Sequence, residues 1–424
     1  KEAAPWLDMF KIRYSHGKVG NDNTGDRFPY LYLISSLGVT DTQYTWGDQR
    51  ANGYSGYRFE QLASNGVTWE VARKDDLGVD IVLFNNKFSL TVDYFSESRS
   101  GIYMERKYLP VMTGLEFWDR GSNGGWNYVK ANVGKTSTKG FDGNFKFEDR
   151  FGDVNLTVRG NITYSKGKIL EYDEENSVYP YQMNRGYRIN QERGLIALGL
   201  FKDYDDIRNS PTQTFGTVQP GDIKYKDVNG DGVVDDGDVV AIGATSRPNL
   251  IYGLGFSIAY KGFDFNLHFQ GAGKSTFPIY GKCVYAFSEN QWGNIFKGML
   301  EDRWVDYDTA IRLQELGVNV QPNENPNASY PRLSYGGNSN NYRNSTFWLR
   351  DGSYLRLKNL DFGYTLPKAF VNKFHFNNVR LFVTGSNLFF ISKKFDTWDP
   401  ESLQPRGEDY PITKAVTAGI QVNL

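Results

Sequence analysis

Apolar and polar residues alternate along ten segments of this chain. In the segment 153–168, Val154 and Leu156 fall on one face and Asn155 and Thr157 on the other. A period of two with one apolar face indicates a β-strand. The same alternation recurs in other segments, among them 88–94, 141–148, 263–270 and 418–424.

One of these segments changes phase partway along. Leu355 and Leu357 share a face, but Leu360 and Phe362 begin on the opposite parity. An extra residue inserted into one strand restores the phase, because two residues then oppose one on the partner strand. The sequence therefore predicts a β-bulge near Asn359.

The connections between the segments alternate between short and long. Short turns are predicted at 85–87, 150–153, 261–262 and 367–377. Long loops are predicted at about 20–76, 105–137, 169–248, 273–352 and 392–410. Connections above about 12–15 residues are uncommon in compact soluble domains. Tight turns at one end and large loops at the other are typical of a transmembrane β-barrel.

The predicted fold class is all-β, with about ten antiparallel strands. An open sheet in lipid exposes unpaired backbone groups along both edges, which is costly. We therefore expect the ten strands to be the C-terminal part of a larger barrel, and the largest transporter barrels have about 22 strands. In such a barrel the apolar face points to lipid and the polar face lines the lumen.

Composition narrows the class of protein. The 424 residues carry a formal net charge of -1, which gives no reason to expect nucleic-acid binding. Aromatic residues make up 16% of the chain, enough for girdles at both membrane interfaces. Cys283 is the single cysteine and cannot form an internal disulfide. The chain contains no run of about 18 apolar residues, so the sequence predicts no transmembrane helix.

Six stretches of the chain carry motifs that are specific in combination. The main ones are GDIKYKDVNGDGVVDDGDVVAIG at 221–243, RPNLIYGLGFSIAYKGFDFNLHFQGAGK at 247–274, SYLRLKNLDFGYTLP at 353–367 and VRLFVTGSNLFFISKKFDTWDPE at 379–401. Supporting ones are KIRYSHGKVGNDN at 11–23 and TWEVARKDDLGVDIVLFNNKFSLTVDYFSESRSGI at 68–102. Together these stretches resemble the C-terminal barrel portion of SusC/RagA-family TonB-dependent outer-membrane transporters of Bacteroidetes, and the resemblance covers nearly the whole chain.

The resemblance implies import of oligosaccharides or peptides across the outer membrane. It implies a SusD-like surface lipoprotein lid as partner, TonB acting through an N-terminal part, and a dimer of transporter–lid pairs. Residues 1–424 are expected to form only the C-terminal part of the barrel, without plug domain or TonB box. The chain begins without Met or a signal peptide, so we expect a fragment or a processed chain.

A calcium-type spacing stands out between residues 227 and 238. Calcium prefers carboxylate, amide and carbonyl oxygens wrapped around one ion, with a glycine for the sharp turn. With Asp227 as position 1, the ligand positions of an EF-hand-type loop fall on Asp227, Asn229, Asp231, Val233 (through its carbonyl), Asp235 and Asp238. Position 12 is Asp instead of Glu, so a metal-free turn rich in Asx and Gly is the alternative.

Aromatic residues in the predicted loops are the candidate contacts to ligand or partner. Aromatic rings can stack on sugars or pack against peptide side chains and partner proteins. For each residue separately, simple loop packing or anchoring is the competing interpretation. The candidates are Trp118, Trp126, Tyr179, Tyr181, Phe287 and Trp292.

Nothing in the sequence favours an enzyme. The three histidines, His16, His268 and His375, are scattered without zinc spacing or a nucleophile signature, and His268 is expected to line the lumen. Carboxylates such as Glu70, Glu97, Glu148 and Glu171 could supply a glycosidase pair, although a position lining the lumen or at a strand end explains each of them better. The alternative function is therefore a secreted or surface β-rich carbohydrate-binding protein or glycosidase.

Overall fold

The computed structural model describes most of the chain. The described residues are 5–25, 28–36, 44–46, 52–54, 56–108, 117–119, 125–127, 129–287, 295, 297–392, 398–402 and 405–423.

Ten long strands form one antiparallel sheet in which every strand pairs with its neighbours in chain order. This confirms the predicted all-β fold with about ten antiparallel strands. Among the described residues, the first and last strands each pair with one neighbour only. The strands are β1 (Leu7–Asn21), β2 (Glu70–Leu83), β3 (Phe88–Glu105), β4 (Lys130–Phe151), β5 (Val154–Glu171), β6 (Leu250–Tyr260), β7 (Phe263–Gly273), β8 (Tyr354–Thr365), β9 (Asn378–Ser392) and β10 (Ala415–Asn423).

The register keeps apolar residues opposite one another across the sheet. Phe147 of β4 pairs with Phe88 of β3 on one side and with Val158 of β5 on the other. The apolar face is uncovered over much of its area: Ile12 is 62% exposed and Ile420 is 68% exposed. A sandwich would bury this face against a second sheet. An exposed apolar face of this extent is typical of a surface in contact with lipid.

Ion pairs follow the opposite, polar face. Arg13 of β1 lies 2.8 Å from Asp80 of β2 and 2.8 Å from Asp93 of β3. Arg380 of β9 pairs with Asp264 of β7 and with Asp361 of β8. Because each guanidinium spans neighbouring strands, these pairs satisfy the charges and fix strand register together.

The short turns lie at one end of the sheet, as the sequence predicts. The turn between β2 and β3 places Phe84, Asn85 and Asn86 at positive φ angles of 56°, 58° and 63°. Asparagine tolerates this left-handed region better than most residues. The predicted bulge is also confirmed: Lys358 is skipped in the pairing of β8 with both neighbours, between Leu357 and Asn359.

The long connections lie at the other end and carry their own structure. The strands extend beyond the predicted limits: β2 begins at Glu70 and β4 at Lys130. Polar residues can lengthen a strand because their backbone groups also pair in a ladder. The connections contain helices α1 (Tyr204–Arg208), α2 (Lys297–Glu301) and α3 (Tyr307–Glu315), while α4 (Lys368–Val371) lies in a short turn. Short strands lie at Leu33–Ser36, Tyr44–Trp46, Asn52–Tyr54, Tyr57–Gln61, Phe117–Asp119, Gly125–Asn127, Gln191–Gly194, Ala197–Leu200, Thr212–Gln213, Ile223–Tyr225, Val233–Val234, Val240–Thr245, Thr276–Pro278 and Leu349–Asp351. Single turns of 3₁₀ helix lie at Pro180–Gln182, Asp236–Asp238, Asn372–Phe374 and Pro400–Ser402.

No helix in the described part of the chain is long and apolar enough to cross a membrane.

Candidate functional site in the outer loops

Two of the long connections, 172–249 and 274–353, pack together into what we call the outer layer. Leu195 of the first connection donates its backbone N–H to Asn344 of the second at 2.9 Å. Burial of apolar side chains from both connections holds the layer together. The buried cluster comprises Leu195, Leu200, Ile223, Tyr225, Val234, Phe277, Ile279, Val284, Tyr285, Trp304, Ala328 and Trp348. The outer layer is therefore a folded unit with its own core, which the loop prediction did not anticipate.

A buried polar network crosses the same interface. Asp222 is completely buried and accepts hydrogen bonds from the side-chain amides of Asn338 and Asn341, both at 2.9 Å. Arg332 completes the arrangement with an ion pair of 2.8 Å to the same carboxylate. A buried charge is tolerated when it is paired and hydrogen-bonded in this way. The network fixes how the two connections dock.

The predicted calcium loop, residues 227–238, is a tightly wound turn. The Asp227 carboxylate accepts the backbone N–H groups of Gly230 at 2.6 Å and Gly232 at 2.9 Å. Asn229 accepts from the N–H of Asp231 at 3.0 Å, and Asp231 from that of Val233 at 2.8 Å. The alternating Asp, Asn and Gly residues thus wrap the chain around its own side chains.

The end of this loop is closed by Asp238, which is completely buried. One of its oxygens accepts the N–H of Val228 at 2.7 Å and the other that of Asp235 at 2.9 Å. Within the described chain, no group of three or more His, Cys, Asp or Glu side chains is placed to hold a metal ion. Calcium at Asp227, Asn229, Asp231, Val233, Asp235 and Asp238 stays a prediction.

Two of the predicted aromatic residues lie against this loop. The rings of Tyr179 and Tyr181 stack with centroids 5.5 Å apart and planes 17° apart. Tyr181 donates its hydroxyl to the carbonyl of Gly237 at 2.8 Å, and the Tyr179 hydroxyl accepts from the Asn229 amide at 3.0 Å. The structure therefore joins the metal-type loop and the aromatic pair, which the sequence suggested separately.

The carboxylates of the loop 227–238 affect the pKa of Tyr181. Burial raises the pKa of its phenol, and the negative charges of Asp238, Asp231 and Asp227 raise it further. The tyrosine hydroxyl therefore stays protonated at neutral pH and acts as a hydrogen-bond donor to the loop.

Four other aromatic residues were predicted to contact ligand or partner. Phe287 packs against Tyr335 with ring centroids 5.8 Å apart. Trp118 and Trp126 oppose each other in a short strand pair, and their side chains lie outside the described part of the structure. Trp292 lies outside the described residues altogether. These contacts also stay predictions.

The candidate glycosidase carboxylates are engaged in ion pairs along the strands. Arg99 contacts Glu70 at 2.8 Å and Glu97 at 3.1 Å. Glu148 pairs with Lys146, and Glu171 lies 3.6 Å from Lys135. His268 occupies the polar face of β7, with its Nδ1 atom buried and without a hydrogen-bond partner among the described residues. This arrangement stabilises the wall and does not resemble a pair of free carboxylates facing a substrate.

The sequence did not predict two features: a cavity in the outer layer, and an ion-paired contact between β8 and the last long connection. A cavity of about 570 Å³ opens in the outer layer, with Arg303, Trp304 and Tyr204 among its lining residues. Arg356 of β8 is only 1% exposed and binds Asp399 and Glu401 of the last long connection, at 2.7 Å for Glu401. Neither feature carries a local motif, because the residues involved come together only when distant segments pack.

Comparison with known proteins indicates the class of protein to which this arrangement belongs. No protein-family model matches the chain. A TonB-dependent receptor named P3 from Formosa agariphila is 26% identical over 411 residues, covering 93% of this chain and 36% of the relative. The TonB-dependent receptor SusC of Bacteroides thetaiotaomicron is 23% identical over 450 residues, covering 99% of this chain and 38% of the relative.

Solved structures show the same fold. The structure of the RagAB peptide transporter superposes with a TM-score of 0.70 at 20% identity, covering 98% of this chain and 41% of that chain. The same importer in its open-open state gives a TM-score of 0.70 and covers 99% of this chain and 40% of that chain. The chain thus spans about two fifths of the length of the proteins it matches.

The sheet and these matches define the class: the chain is part of an outer-membrane β-barrel. More particularly, its predicted resemblance to the C-terminal barrel portion of SusC/RagA-type TonB-dependent transporters is confirmed.

Proposed function

We propose that the chain forms the C-terminal wall and outer loops of a TonB-dependent importer in the outer membrane. The observation that carries the proposal is the two-faced sheet. Its apolar face is exposed, as at Ile12 and Ile420, and its polar face carries ion-paired arginines such as Arg13. This is the arrangement of a barrel wall with lipid outside and water inside.

The open edges of the sheet support the same proposal. In the described structure β1 and β10 have unpaired edges, and open edges in lipid are energetically costly. Further strands of a complete barrel would pair with both edges. The matched relatives are about two and a half times longer than this chain, which leaves room for those strands.

The proposed partners follow from the resemblance. A SusD-like lipoprotein would cover the outer loops, TonB would supply energy through an N-terminal part, and two transporter–lid pairs would associate. The folded outer layer supports a lid, because a rigid rim offers a defined docking surface. The relatives are receptors and transporters, and we accordingly propose no covalent step.

The proposed cargo is an oligosaccharide or a peptide. The RagAB structure is described as that of a peptide transporter, which favours peptide for that protein. In this chain Tyr179, Tyr181 and Phe287 present half-buried rings in the outer layer, suited to contact either class of cargo. Calcium bound by residues 227–238 would stiffen the loop that supports Tyr179 and Tyr181.

The first test is to purify the full-length protein from native membranes in mild detergent and identify every associated chain by mass spectrometry. We expect a plug-bearing N-terminal portion and a SusD-like lipoprotein. A protein that is soluble without detergent and carries no such companion would contradict the import proposal and favour the secreted carbohydrate-binding alternative.

A second test addresses the cargo. Cells that carry or lack the full-length gene would be given labelled pools of peptides and oligosaccharides of matched size. Gene-dependent depletion of one pool would identify the cargo class. Equal uptake of both pools with and without the gene would contradict import by this protein.

A further inference from the structure

The lipid-facing side of the sheet changes character near the long connections. Paired residues of an antiparallel ladder lie on the same side of the sheet, and every second residue along a strand returns to that side. The next two rows toward the long connections are polar. The last apolar row across β1 to β5 is formed by Tyr14, Leu77, Tyr94, Phe141 and Tyr164.

Six basic residues lie in these two polar rows and form what we call the basic patch. Five belong to the strands, and the sixth belongs to the outer layer and pairs with β5 through an isolated bridge. The basic patch comprises Lys18, Arg73, Lys139, Lys166, Lys168 and Arg188.

The strand register places like charges of the basic patch directly opposite one another. Like charges in this position destabilise an antiparallel pair. Folding of the sheet alone gives no reason for several such pairs side by side, and an anion lying between them would relieve the repulsion. The pairs are Lys18 with Arg73, Lys139 with Lys166, and Lys168 with Arg188.

The described part of the protein supplies no counter-ion to the basic patch. None of its six side chains makes an ion pair with a residue that the structure describes, and the nearby carboxylates are engaged elsewhere. Asp75 lies 2.7 Å from His16 and accepts the hydroxyl of Tyr14 at 2.9 Å. Glu171 lies 3.6 Å from Lys135.

Lysines at the short-turn end of the sheet have counter-ions. Lys87 lies 2.8 Å from Asp149, and Lys261 lies 3.4 Å from Asp153. The lack of a counter-ion therefore distinguishes the basic patch from these lysines.

Serines occupy the middle of the basic patch. Ser98 of β3 and Ser137 of β4 lie in one row between Arg73 and Lys168, and Ser96 lies beside Lys139 in the next row. Their short side chains leave the space between the flanking cations open. Their hydroxyls can donate hydrogen bonds to an anion held there.

We propose that the basic patch binds the phosphate groups of a glycolipid in the outer leaflet of the membrane. The outer leaflet of an outer membrane is rich in phosphorylated glycolipid, and Lys and Arg are the side chains that bind phosphate. With strands about 4.8 Å apart, the patch spans about 24 Å, which is wide enough for a head group with more than one phosphate.

The surface below the basic patch fits the rest of such a lipid. Tyr94 is 50% exposed and Phe141 is 41% exposed, so apolar surface suited to acyl chains continues directly from the cations. The site rests on the proposed barrel wall with its apolar side toward lipid, and does not depend on whether the protein imports a cargo.

The test uses the full-length protein, purified in detergent and washed free of native lipid. Thermophoresis compares lipid A carrying two phosphates with the same lipid after removal of its phosphates, and with inorganic phosphate. We expect the phosphorylated lipid to bind at least about ten-fold more tightly than the dephosphorylated one. Equal affinity for the two lipids overturns the proposal. Displacement of the lipid by millimolar inorganic phosphate assigns the patch to free phosphate and also overturns it.

A matched pair of double variants locates the site. Lys139→Gln with Lys166→Gln should weaken binding of the phosphorylated lipid about twenty-fold, since each lysine near an anionic lipid surface contributes about five-fold. Lys87→Gln with Lys261→Gln removes the same charge at the short-turn end and should leave the affinity unchanged. Equal affinities of the two double variants overturn the assignment to the basic patch.

Thermal unfolding separates lipid binding from a structural role of the lysines. Without lipid, Lys139→Gln with Lys166→Gln should be at least as stable as the wild type, because the variant loses a repulsive pair. Phosphorylated lipid A should raise the unfolding temperature of the wild type more than that of the variant. A variant that is less stable without lipid and gains as much from lipid as the wild type contradicts the proposal. A mismatch between failure here and residence in the outer membrane is informative, since a protein that spans the membrane without this preference keeps the proposed function and loses only the lipid site.

Discussion

Asp222 and Arg332 form an ion pair of 2.8 Å that joins the two halves of the outer layer. The two residues are 110 positions apart, and the Asp222 carboxylate is completely buried. The backbone N–H of Gln219 also donates to this carboxylate at 2.8 Å, so one side chain organises both a local turn and a distant connection. Such an arrangement is stable only while all partners are present.

Asp222→Ala should therefore destabilise the outer layer. Removing one partner of a buried pair leaves the arginine uncompensated and costs about 3–5 kcal/mol. Native-state hydrogen exchange at Ile223 and Tyr225 reports the free energy of local opening. Asp205→Ala, which breaks the exposed pair of Asp205 with Arg208, should cost less than about 1 kcal/mol. Equal protection in the two variants would contradict the role of Asp222.

Gly221 and Gly230 allow steric clash to be separated from backbone strain. Both have positive φ, 85° and 77°, but only at Gly221 would a Cβ meet another side chain, that of Trp304. Gly230→Ala should cost about 1–2 kcal/mol from strain alone. Gly221→Ala should cost clearly more, because the indole must also move. Thermal unfolding of the two variants in detergent measures the difference, and equal losses would refute the predicted contact.

The loop 227–238 should bind terbium in place of calcium. Tyr181 donates to the Gly237 carbonyl at 2.8 Å, so an ion in the loop lies near an aromatic sensitiser. We expect aromatic-sensitised terbium luminescence that calcium suppresses by competition. Asp231→Asn removes a charged ligand and should weaken binding about ten-fold, since affinity follows ligand charge.

The control for the terbium measurement lies in the same loop. Asp236 falls at a position that does not supply a ligand in the calcium spacing, and it pairs with Arg343. Asp236→Asn should therefore leave terbium affinity almost unchanged. A wild-type protein without calcium-sensitive luminescence would show that the loop is a metal-free turn.

Glu192 should make the outer layer less stable as pH rises. Burial raises the pKa of this half-buried carboxyl above its ordinary value of 4.5. Well below pH 4.5 the carboxyl is protonated in both states. As the pH rises above 4.5, the carboxyl ionises in the unfolded chain while it stays protonated in the folded state. Unfolding therefore becomes progressively more favourable until the pH passes the higher folded-state pKa.

Glu192→Gln removes this penalty. The variant should unfold at a higher temperature than the wild type at about pH 7, and the difference should shrink at about pH 4. Glu175→Gln, at an exposed position of the same connection, should show no such trend. A difference between Glu192→Gln and wild type that is independent of pH would argue against titration of Glu192.

The sequence alone determined the long strands of the sheet and the short turns between them. Strand identity depends on a local period of two, and a tight turn depends on a few adjacent residues, so both can be read without tertiary information. The bulge at Lys358 follows from the same pattern, because the apolar parity changes between Leu357 and Leu360. Membership in a larger barrel followed from open edges and from the asymmetry of the connections.

Only the tertiary structure decided how the outer layer is arranged. The contacts of Asp222 with Arg332, of Trp304 with Gly221, and of Tyr181 with Gly237 join residues far apart in sequence. No local periodicity encodes such contacts, since they depend on which distant segments bury apolar surface together. For the same reason the sequence identified the calcium spacing and the aromatic pair separately, and only the fold placed one against the other.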